Sequence, residues 1–331
     1  MPGHNYSRHR LSHGAEPVSE QPPVSVVVIT YQSAPYVIQT LESVLQQTYP
    51  KLELIVSDDA SDDETAQLCE AWLETHKDRF VRTRWISSPL NTGIPANCNR
   101  GCKAAQGEWI KIIAGDDQLL PECITQNVAF VRAHPHARLV CSRALKMDEQ
   151  GIELEGSEYY KGEPDALRAC FFSRSAGRQR RFYARHPISL VAPSFFVKRS
   201  MLERVGGFDD RLRVFEDMSL VCRILRAGWK IHWMEQTSVR YRIRTSSVSR
   251  QKNPERQARN LEELEFIYRH YRRKHLRWWR PLDLCAMTEA FITFTYAGRW
   301  GGKGARFLLK LNPYRLYECF VCRIYRQRHD D

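Results

Sequence analysis

The sequence lacks any run of 18 consecutive apolar residues, the length that a membrane-spanning helix needs. The nearest candidate, Leu282–Gly298, is interrupted by Asp283 and Glu289, which indicates a core or interfacial helix. Residues 1–21 are polar and have no apolar segment of the kind found in signal peptides, so secretion is not expected. We predict that residues 1–22 form a disordered lead-in to a cytoplasmic protein.

Paired cysteine motifs are also scarce. The ten cysteines are scattered, mostly inside apolar stretches such as those around Cys69 and Cys141. Without a secretory segment, free thiols in a reducing compartment are favoured over disulfides. Cys319 and Cys322 form one CxxC, but no second CxxC or histidine pair lies at zinc-finger spacing. Helix packing is therefore the favoured interpretation of that pair, and a zinc site is the alternative.

Acidic residues are few in the last quarter of the chain. The net charge of the 331 residues is +12, and Tyr241–Asp331 carries 20 Lys and Arg against 9 Asp and Glu. The preceding 240 residues are close to neutral, and the apolar fraction of 43% is ordinary for a domain with a hydrophobic core. This asymmetry predicts a globular domain followed by a basic extension.

Residues 24–117 contain a regular alternation of apolar strands and short helices. The β-branched runs are typical of strands buried on both faces, and the helical segments carry apolar stripes such as Val37, Leu41 and Val44. The four predicted strands are Val24–Thr30, Leu52–Ser57, Thr83–Ser87 and Trp109–Ile113. Strands joined by helical crossovers predict an α/β fold with a doubly wound, mainly parallel sheet flanked by helices.

The pattern is mixed after residue 117 and helical from residue 254. Asp62 is predicted to cap the second helix, and the polar, basic stretch Ser173–Arg185 is predicted to be a mobile loop. Further helices are predicted at Glu122–His134, Lys198–Val205 and Asp217–Ala227. Further strands are predicted at Leu139–Leu145, Leu190–Val197, Lys230–Met234 and Ser238–Arg244.

Three polar pairs follow predicted parallel strands: Thr30–Tyr31, Asp58–Asp59 and Asp116–Asp117. Ligands bind beyond the carboxyl ends of strands in such sheets, so we expect the pairs to share one site. Adjacent aspartates at a buried strand end need compensation, and hard oxygen ligands suit Mg²⁺ or Mn²⁺ together with phosphate oxygens. A solvated Asp-Asp turn is the alternative.

A fourth polar pair, Glu216–Asp217, begins a predicted helix. Acidic residues there stabilise the helix through its macrodipole. A carboxylate can also act as a general base toward an attacking hydroxyl. Its position leaves both interpretations open.

The ordered set of motifs resembles the family 2 glycosyltransferases over about residues 24–250. The matching segments are VSVVVITY at 24–31, LQQTYP at 45–50, LIVSDDASDD at 54–63, NTGIPAN at 91–97, GEWI at 107–110, GDD at 115–117, VGGFD at 205–209, FED at 215–217 and YR at 241–242. The resemblance implies the GT-A fold and an inverting single displacement. It implies transfer of a sugar from a nucleotide-diphosphate sugar to a glycan or lipid-linked saccharide acceptor, as in bacterial surface-polysaccharide synthesis.

The resemblance also implies roles for single residues. It implies nucleotide binding by Thr30, Tyr31, Asp58, Asp59 and Asp116. It implies that Asp117, with Asp116, binds Mg²⁺ or Mn²⁺. Asp217 would be the catalytic base, and Glu216 would help to place the acceptor.

Two positions depart from the family pattern. Many relatives have an aspartate where this chain has Ala114, and many have Tyr-Arg-x-His where this chain ends the motif in Arg244. We predict that Arg244 is a nucleotide-binding residue that contacts the diphosphate and reduces dependence on the metal. Processive polymerases of this family carry a Gln-x-x-Arg-Trp motif. This chain has Arg277-Trp278, but Lys274 stands at the position of the glutamine, which favours single additions.

We predict a catalytic domain at 23–250, with a nucleotide-binding half at 23–117 and an acceptor-binding half at 118–250. Residues 251–331 are predicted to form a basic helical extension that interleaves Arg and Lys with aromatic residues. This pattern favours an anionic membrane surface as partner and a peripheral location on the inner face of the membrane. Packing on the catalytic domain is the alternative, and nucleic acid is not expected.

Two other functions are alternatives to glycosyl transfer. A catalytically inactive nucleotide-sugar-binding module is disfavoured by the intact Asp117 and Asp217. A sugar-phosphate nucleotidyltransferase is expected to carry a glycine-rich basic loop after its first strand, where this chain has Thr30-Tyr31-Gln32-Ser33.

Overall fold

The computed structural model describes residues 21–158, 165–244 and 254–280, together with 282–284, 286–288 and 290. Its strands are β1 (Val24–Thr30), β2 (Leu52–Asp58), β3 (Arg82–Ser87), β4 (Trp109–Ala114), β5 (Gln118–Leu119), β6 (Leu139–Met147), β7 (Glu153–Glu158), β8 (Phe196–Lys198) and β9 (Ile231–Arg242). Its α-helices are α1 (Val37–Leu45), α2 (Thr65–His76), α3 (Ile94–Ala104), α4 (Cys123–Ala133), α5 (Asp165–Phe172), α6 (Ala176–Arg185), α7 (Arg199–Val205), α8 (Glu216–Arg226) and α9 (Pro254–Ile267). The predicted lead-in up to residue 20, the CxxC at 319–322 and most of the extension beyond residue 280 lie outside the described residues.

One mixed sheet organises these elements, in the order β3-β2-β1-β4-β8-β6-β9-β5, with β7 beside β6. The half that contains β1 to β4 is parallel throughout. β6 and β9 are also parallel, whereas β5, β7 and β8 pair antiparallel with their neighbours. The predicted α/β class and the mainly parallel sheet are confirmed.

The register of the parallel half brings strand ends together. Thr30 at the end of β1 lies opposite Asp58 at the end of β2, and Ile29 lies opposite Ala114 at the end of β4. The polar pairs after these strands therefore meet at one edge of the sheet, as parallel strands require.

Both faces of the parallel half are buried, which explains its continuous apolar runs. Alternate residues of β1 enter different clusters: Val26 packs with the α1 and α2 residues Leu41 and Trp72, and Val27 packs with residues of α3, α7 and α8 such as Cys98. Seven cysteines of the described part are free and buried, as the scattered cysteine pattern predicts.

The predicted loop Ser173–Arg185 is wrong, because α5 is followed by α6 with only three residues between them. The buried face of α6 consists of Gln179, Tyr183 and Ala184, a spacing that the many arginines obscure in the sequence. Gln179 exchanges two hydrogen bonds with the backbone of Ile231, both of 2.9 Å. This side-chain bridge fixes the helix against the start of β9.

Three smaller predictions are corrected. α2 begins at Thr65, and Asp63 rather than Asp62 accepts a hydrogen bond from the Thr65 amide at 3.0 Å. The strand predicted at Leu190–Val197 is reduced to β8, since a 3₁₀ turn at Ala192–Ser194 precedes it and Pro193 has no amide to donate. The two strands predicted at 230–244 form the single strand β9.

Gly107 provides a test of the packing at the start of the sheet. A Cβ at this position would lie 2.6 Å from the Ser25 backbone nitrogen, so backbone would have to move. We expect Gly107→Ala to lower the free energy of unfolding by about 1–3 kcal/mol. Denaturant-induced unfolding of the variant and of the wild type measures this difference in the free energy of unfolding.

The matched control is Gly177→Ala in α6, where a Cβ would meet nothing within 4 Å. That change should leave the stability unchanged or raise it by about 0.5–1 kcal/mol, because Ala is the better helix former. Equal effects of the two substitutions would contradict the packing described for Gly107.

Candidate active site

A cavity of about 980 Å³ lies at this edge of the sheet. The predicted site residues that line it are Thr30, Tyr31, Asp59, Asp116, Asp117, Glu216, Asp217 and Arg244. Asp58 is the predicted site residue that is absent from its lining. Members of three acidic pairs that are far apart in sequence, with Asp59 alone from the first pair, therefore line one cavity.

Asp58 stabilises the loops that carry the cavity wall. Its buried carboxylate accepts hydrogen bonds from Thr30 Oγ1 at 2.8 Å, from the Ser61 amide at 2.8 Å and from Ser61 Oγ at 2.6 Å. Gln32 and Ala60, in the loops after β1 and β2, have positive φ values of 51° and 64°. Such strained residues cluster at functional sites, where the surrounding structure holds them. The direct nucleotide contact implied for Asp58 stays a prediction.

Asp59 connects the loop before α3 to the same wall of the cavity. Its carboxylate accepts hydrogen bonds from the amides of Thr92 at 2.9 Å and Gly93 at 2.7 Å, and from Arg100 at 3.1 Å. Tyr31 lines the cavity beside it and is 48% exposed. An accessible aromatic ring in a concave site offers a stacking surface for a planar ligand.

The Asp116–Asp117 pair is held by the end of β9. The Arg242 amide donates to Asp117 Oδ1 at 2.8 Å, and Arg242 Nε donates to the Asp116 carbonyl at 2.7 Å. Arg244 pairs with the Asp116 carboxylate at 2.8 Å. Both guanidinium groups lie over the ring of Tyr36, at 4.8 and 5.3 Å from its centroid.

Arg242 is almost fully buried and connects this pair to two other segments. Its guanidinium donates to the carbonyls of Asp148 at 3.1 Å and Glu149 at 2.7 Å, and to Gln39 Oε1 at 2.7 Å. The sequence motif Tyr-Arg identified the residue but not this function. Its partners are mainly carbonyl groups, which leave no signature in side-chain patterns.

Burial raises the pKa values of both aspartates of the pair. The pKa of Asp117 rises far above its ordinary value, since burial is reinforced by the charge of Asp116, and the Arg242 and Arg244 charges only partly oppose this. The pKa of Asp116 is also raised by burial and is lowered in part by Arg244. The pair therefore favours additional positive charge.

The donor atoms of this pair fit a hard divalent cation. Within the ranges that the structure describes, no group of three or more His, Cys, Asp or Glu side chains is placed to hold a metal. Mg²⁺ commonly takes only one or two carboxylates and completes its shell with phosphate oxygens and water. Asp117 lines the cavity, and in the described part of the chain only one of its carboxylate oxygens accepts a hydrogen bond.

Glu216 and Asp217 form the first turn of α8. Burial raises the pKa of Asp217 to about 6. Burial also raises the pKa of Glu216 well above its ordinary value, with further contributions from the charges of Asp217 and Glu263. Glu216 Oε2 is buried and has no hydrogen-bond partner among the described residues. A raised pKa makes a carboxylate a stronger base, which suits a group that must accept a proton from a hydroxyl.

α9 contributes a wall that was not predicted. Arg259, Asn260 and Glu263 of this helix line the cavity. The sequence analysis places this helix in the basic extension 251–331, although Pro254–Ile267 contains four glutamates and two arginines. This local acidic composition is the signal that sequence reasoning missed.

The glycosyl transferase family 2 model matches residues 25–206, more than half of the chain. The chain belongs to glycosyl transferase family 2. This confirms the resemblance drawn from the motifs and identifies the chain as a glycosyltransferase.

Curated relatives agree with this family. EpsE of Bacillus subtilis is 32% identical over 131 residues, which are 40% of this chain and 46% of EpsE, so the match spans about half of that protein. The glycosyltransferase GlyG of Streptococcus pneumoniae is 24% identical over 73% of this chain and 77% of GlyG. The succinoglycan biosynthesis protein ExoO of Rhizobium meliloti is 26% identical over 70% of this chain and 64% of ExoO.

Solved structures support the GT-A fold. Residues 1–349 of S. aureus TarS match with a TM-score of 0.56 and 17% identity, over 84% of this chain and 92% of that chain. The mannosyltransferase PcManGT of Pyrobaculum calidifontis, in complex with GDP-Man and Mn²⁺, matches with a TM-score of 0.52 and 19% identity, over 96% and 90%. Within the described residues, no helix combines the length and apolar character needed to cross a membrane.

Proposed function

We propose that the protein is an inverting glycosyltransferase that moves one sugar from a nucleotide-diphosphate sugar to a hydroxyl of a glycan or lipid-linked acceptor. The observation that carries this proposal is the convergence of Tyr31, the Asp116–Asp117 pair and the Glu216–Asp217 pair on one cavity. S. aureus TarS 1–349, which has the same fold, has been solved in complex with UDP-GlcNAc, which supports a nucleotide-sugar donor. The name of ExoO, a succinoglycan biosynthesis protein, supports a glycan product.

Different groups of residues that line the cavity would serve different parts of the reaction. Thr30, Tyr31 and Asp59 would bind the nucleoside. Asp117 and Asp116 would hold Mg²⁺ or Mn²⁺, and a bound ion neutralises the charge of the leaving diphosphate. Asp217 would accept the proton of the attacking hydroxyl while Glu216 helps to orient the acceptor. Inversion follows from a single displacement, which needs no covalent nucleophile.

Release of nucleoside diphosphate from a panel of nucleotide sugars tests the reaction class. Transfer to an added acceptor supports the proposal, and the anomeric configuration of the product tests inversion. A nucleotidyltransferase would release no nucleoside diphosphate from these donors and would form pyrophosphate only from a nucleoside triphosphate and a sugar phosphate, and an inactive binding module would bind donors without turnover. Either result would overturn the proposal.

Asp217→Asn tests the general base. The amide keeps the size of the side chain but does not accept a proton, so we expect transfer to fall by about 10²–10⁴-fold. Donor affinity, measured by calorimetry, should stay within twofold. The wild-type rate should fall as the pH is lowered through about 6, because Asp217 becomes protonated in that range.

Asp210→Asn is the matched control, since Asp210 is an exposed aspartate seven residues earlier in the same region. It should leave both rate and donor affinity unchanged. Transfer by Asp217→Asn at the wild-type rate would remove the proposed base.

Arg244→Ala tests the predicted diphosphate contact. Arg244 lines the cavity and neutralises Asp116, so its guanidinium lies where a bound diphosphate would place negative charge. We expect donor affinity in the presence of EDTA to fall about tenfold or more, since a hydrogen bond to a charged group contributes roughly 1.5–3 kcal/mol. Arg244→His, which restores the residue of many relatives, should increase the dependence of donor affinity on Mg²⁺ or Mn²⁺.

Arg240→Ala is the control, because Arg240 also belongs to β9 and pairs loosely with Glu153, at 3.8 Å. Calorimetry with a nucleotide sugar reports binding without turnover. Donor affinity of Arg244→Ala equal to that of wild type would eliminate the diphosphate contact.

A basic and aromatic surface near residue 275 supports the proposed membrane partner. Trp278 and Trp279 are 70% and 61% exposed. The pKa of His275 is lowered to about 4, first by burial and then by neighbouring positive charges. These charges belong to Arg180, Arg226, Lys274 and Arg277. Cations beside exposed tryptophans are typical of proteins that bind the headgroup region of anionic membranes.

Removing charge from this surface should weaken vesicle binding. We expect Lys274→Gln/Arg277→Gln to reduce binding to phosphatidylglycerol vesicles by about tenfold or more, since each basic residue near such a surface contributes about 1 kcal/mol. Trp278→Ser/Trp279→Ser should also reduce it. Co-sedimentation at low and high salt measures both effects.

Val81→Ser, which removes an exposed apolar side chain elsewhere on the molecule, is the control and should bind as wild type does. Equal vesicle binding by all variants would leave packing as the role of this region.

A further inference from the structure

The segment between α7 and the catalytic pair is held by the C-terminal region. Glu263 of α9 accepts hydrogen bonds from three consecutive backbone amides that directly precede Glu216. The donor–acceptor distances are 2.9 Å for Arg213, 3.1 Å for Val214 and 3.4 Å for Phe215. Phe215 is the N-cap residue of α8. One carboxylate therefore holds the segment that enters α8, up to the amide of its N-cap residue, although it comes from a residue about 50 positions away.

The physical role of such a contact is specific. The first amides of a helix have no partner within the helix, and a negative charge near them also complements the helix macrodipole. α8 has no side-chain cap at its own N-cap residue. Glu263 supplies a partner for one of these amides, that of Phe215, and places a negative charge beside the start of the helix that carries Glu216 and Asp217.

A second anchor holds the other end of the segment. Asp209 accepts two hydrogen bonds from the Arg211 guanidinium, both of 2.8 Å, and one from the Tyr271 hydroxyl. Arg211 also lies over the ring of Phe266, 4.8 Å from its centroid. Partial burial alone would raise the pKa of Asp209, yet these hydrogen bonds lower it to about 2, so the anchor is ionised at neutral pH.

We propose that Glu263 is a positioning residue for the catalytic pair. Through it, α9 belongs to the active site. This inference rests on the proposed function. Glu263 lines the cavity together with Asp217, so the segment 213–215 is fixed at the point where an acceptor would meet the base. A helix that only packed against the domain would leave the rate unaffected once the protein is folded.

Two substitutions test the role. Glu263→Gln keeps the shape and one accepting oxygen but removes the charge, and Glu263→Ala removes all three hydrogen bonds. We expect kcat for transfer to fall by about tenfold in the first and about 100-fold in the second, because small displacements of catalytic groups are costly. The donor KM should change less than twofold. Glu262→Gln, an exposed neighbour on the same helix, is the control and should match wild type.

Hydrogen exchange measured by mass spectrometry gives a readout that needs no substrate. Peptides that cover residues 213–217 should exchange faster in Glu263→Ala than in wild type or Glu262→Gln, while peptides of β1 and β2 should not. Unchanged exchange of the peptides that cover residues 213–217 would show that Glu263 does not hold this segment, and it would overturn the proposal. Faster exchange with an unchanged kcat would overturn the catalytic role of Glu263. An inactive wild type would instead contradict the proposed function, and the exchange data would still decide whether Glu263 holds the segment.

Discussion

The candidate site depends on one electrostatic constraint. The fold buries negative charge at one edge of the sheet, and nearby positive charge must compensate it. The parallel register of β1, β2 and β4 brings the Asp116–Asp117 pair to the same edge as the loops after the first two strands. Burial disfavours ionised carboxylates, so positive charge must be supplied nearby. Arg242 and Arg244 at the end of β9 supply part of it from the chain itself. A cation or a ligand that adds positive charge would supply the rest.

The architecture of the parallel half could be predicted because its signals are local. The apolar run Val24–Thr30 predicts a strand that is buried on both faces, and β1 begins and ends at these same residues in the structure. Polar residues after such strands must gather at one edge, whichever side chains they are. The family motifs added Glu216–Asp217, whose place in the cavity depends on contacts that no spacing rule contains.

The misses have a common physical cause. The abundance of arginine predicts a loop at Ser173–Arg185, whereas the position of α6 depends on Gln179 and on a backbone partner at Ile231. Glu263 was overlooked because its partners are the amides of Arg213, Val214 and Phe215. Backbone groups are identical at every position, so side-chain patterns do not reveal long-range contacts to them.

The same property of backbone contacts has a consequence for how this protein can vary. Arg242 donates hydrogen bonds to the turn after β6 through the carbonyl oxygens of Asp148 and Glu149. These hydrogen bonds depend on the path of the chain rather than on particular side chains, although the charge of Asp148 also acts on Arg242. An insertion or deletion in this turn would displace the acidic pair, and its path also depends on Gly151, which has a φ of 88°, and on the Asp148 carboxylate, which accepts the Ile152 amide at 2.8 Å. In divergent relatives the length of the turn should therefore be preserved.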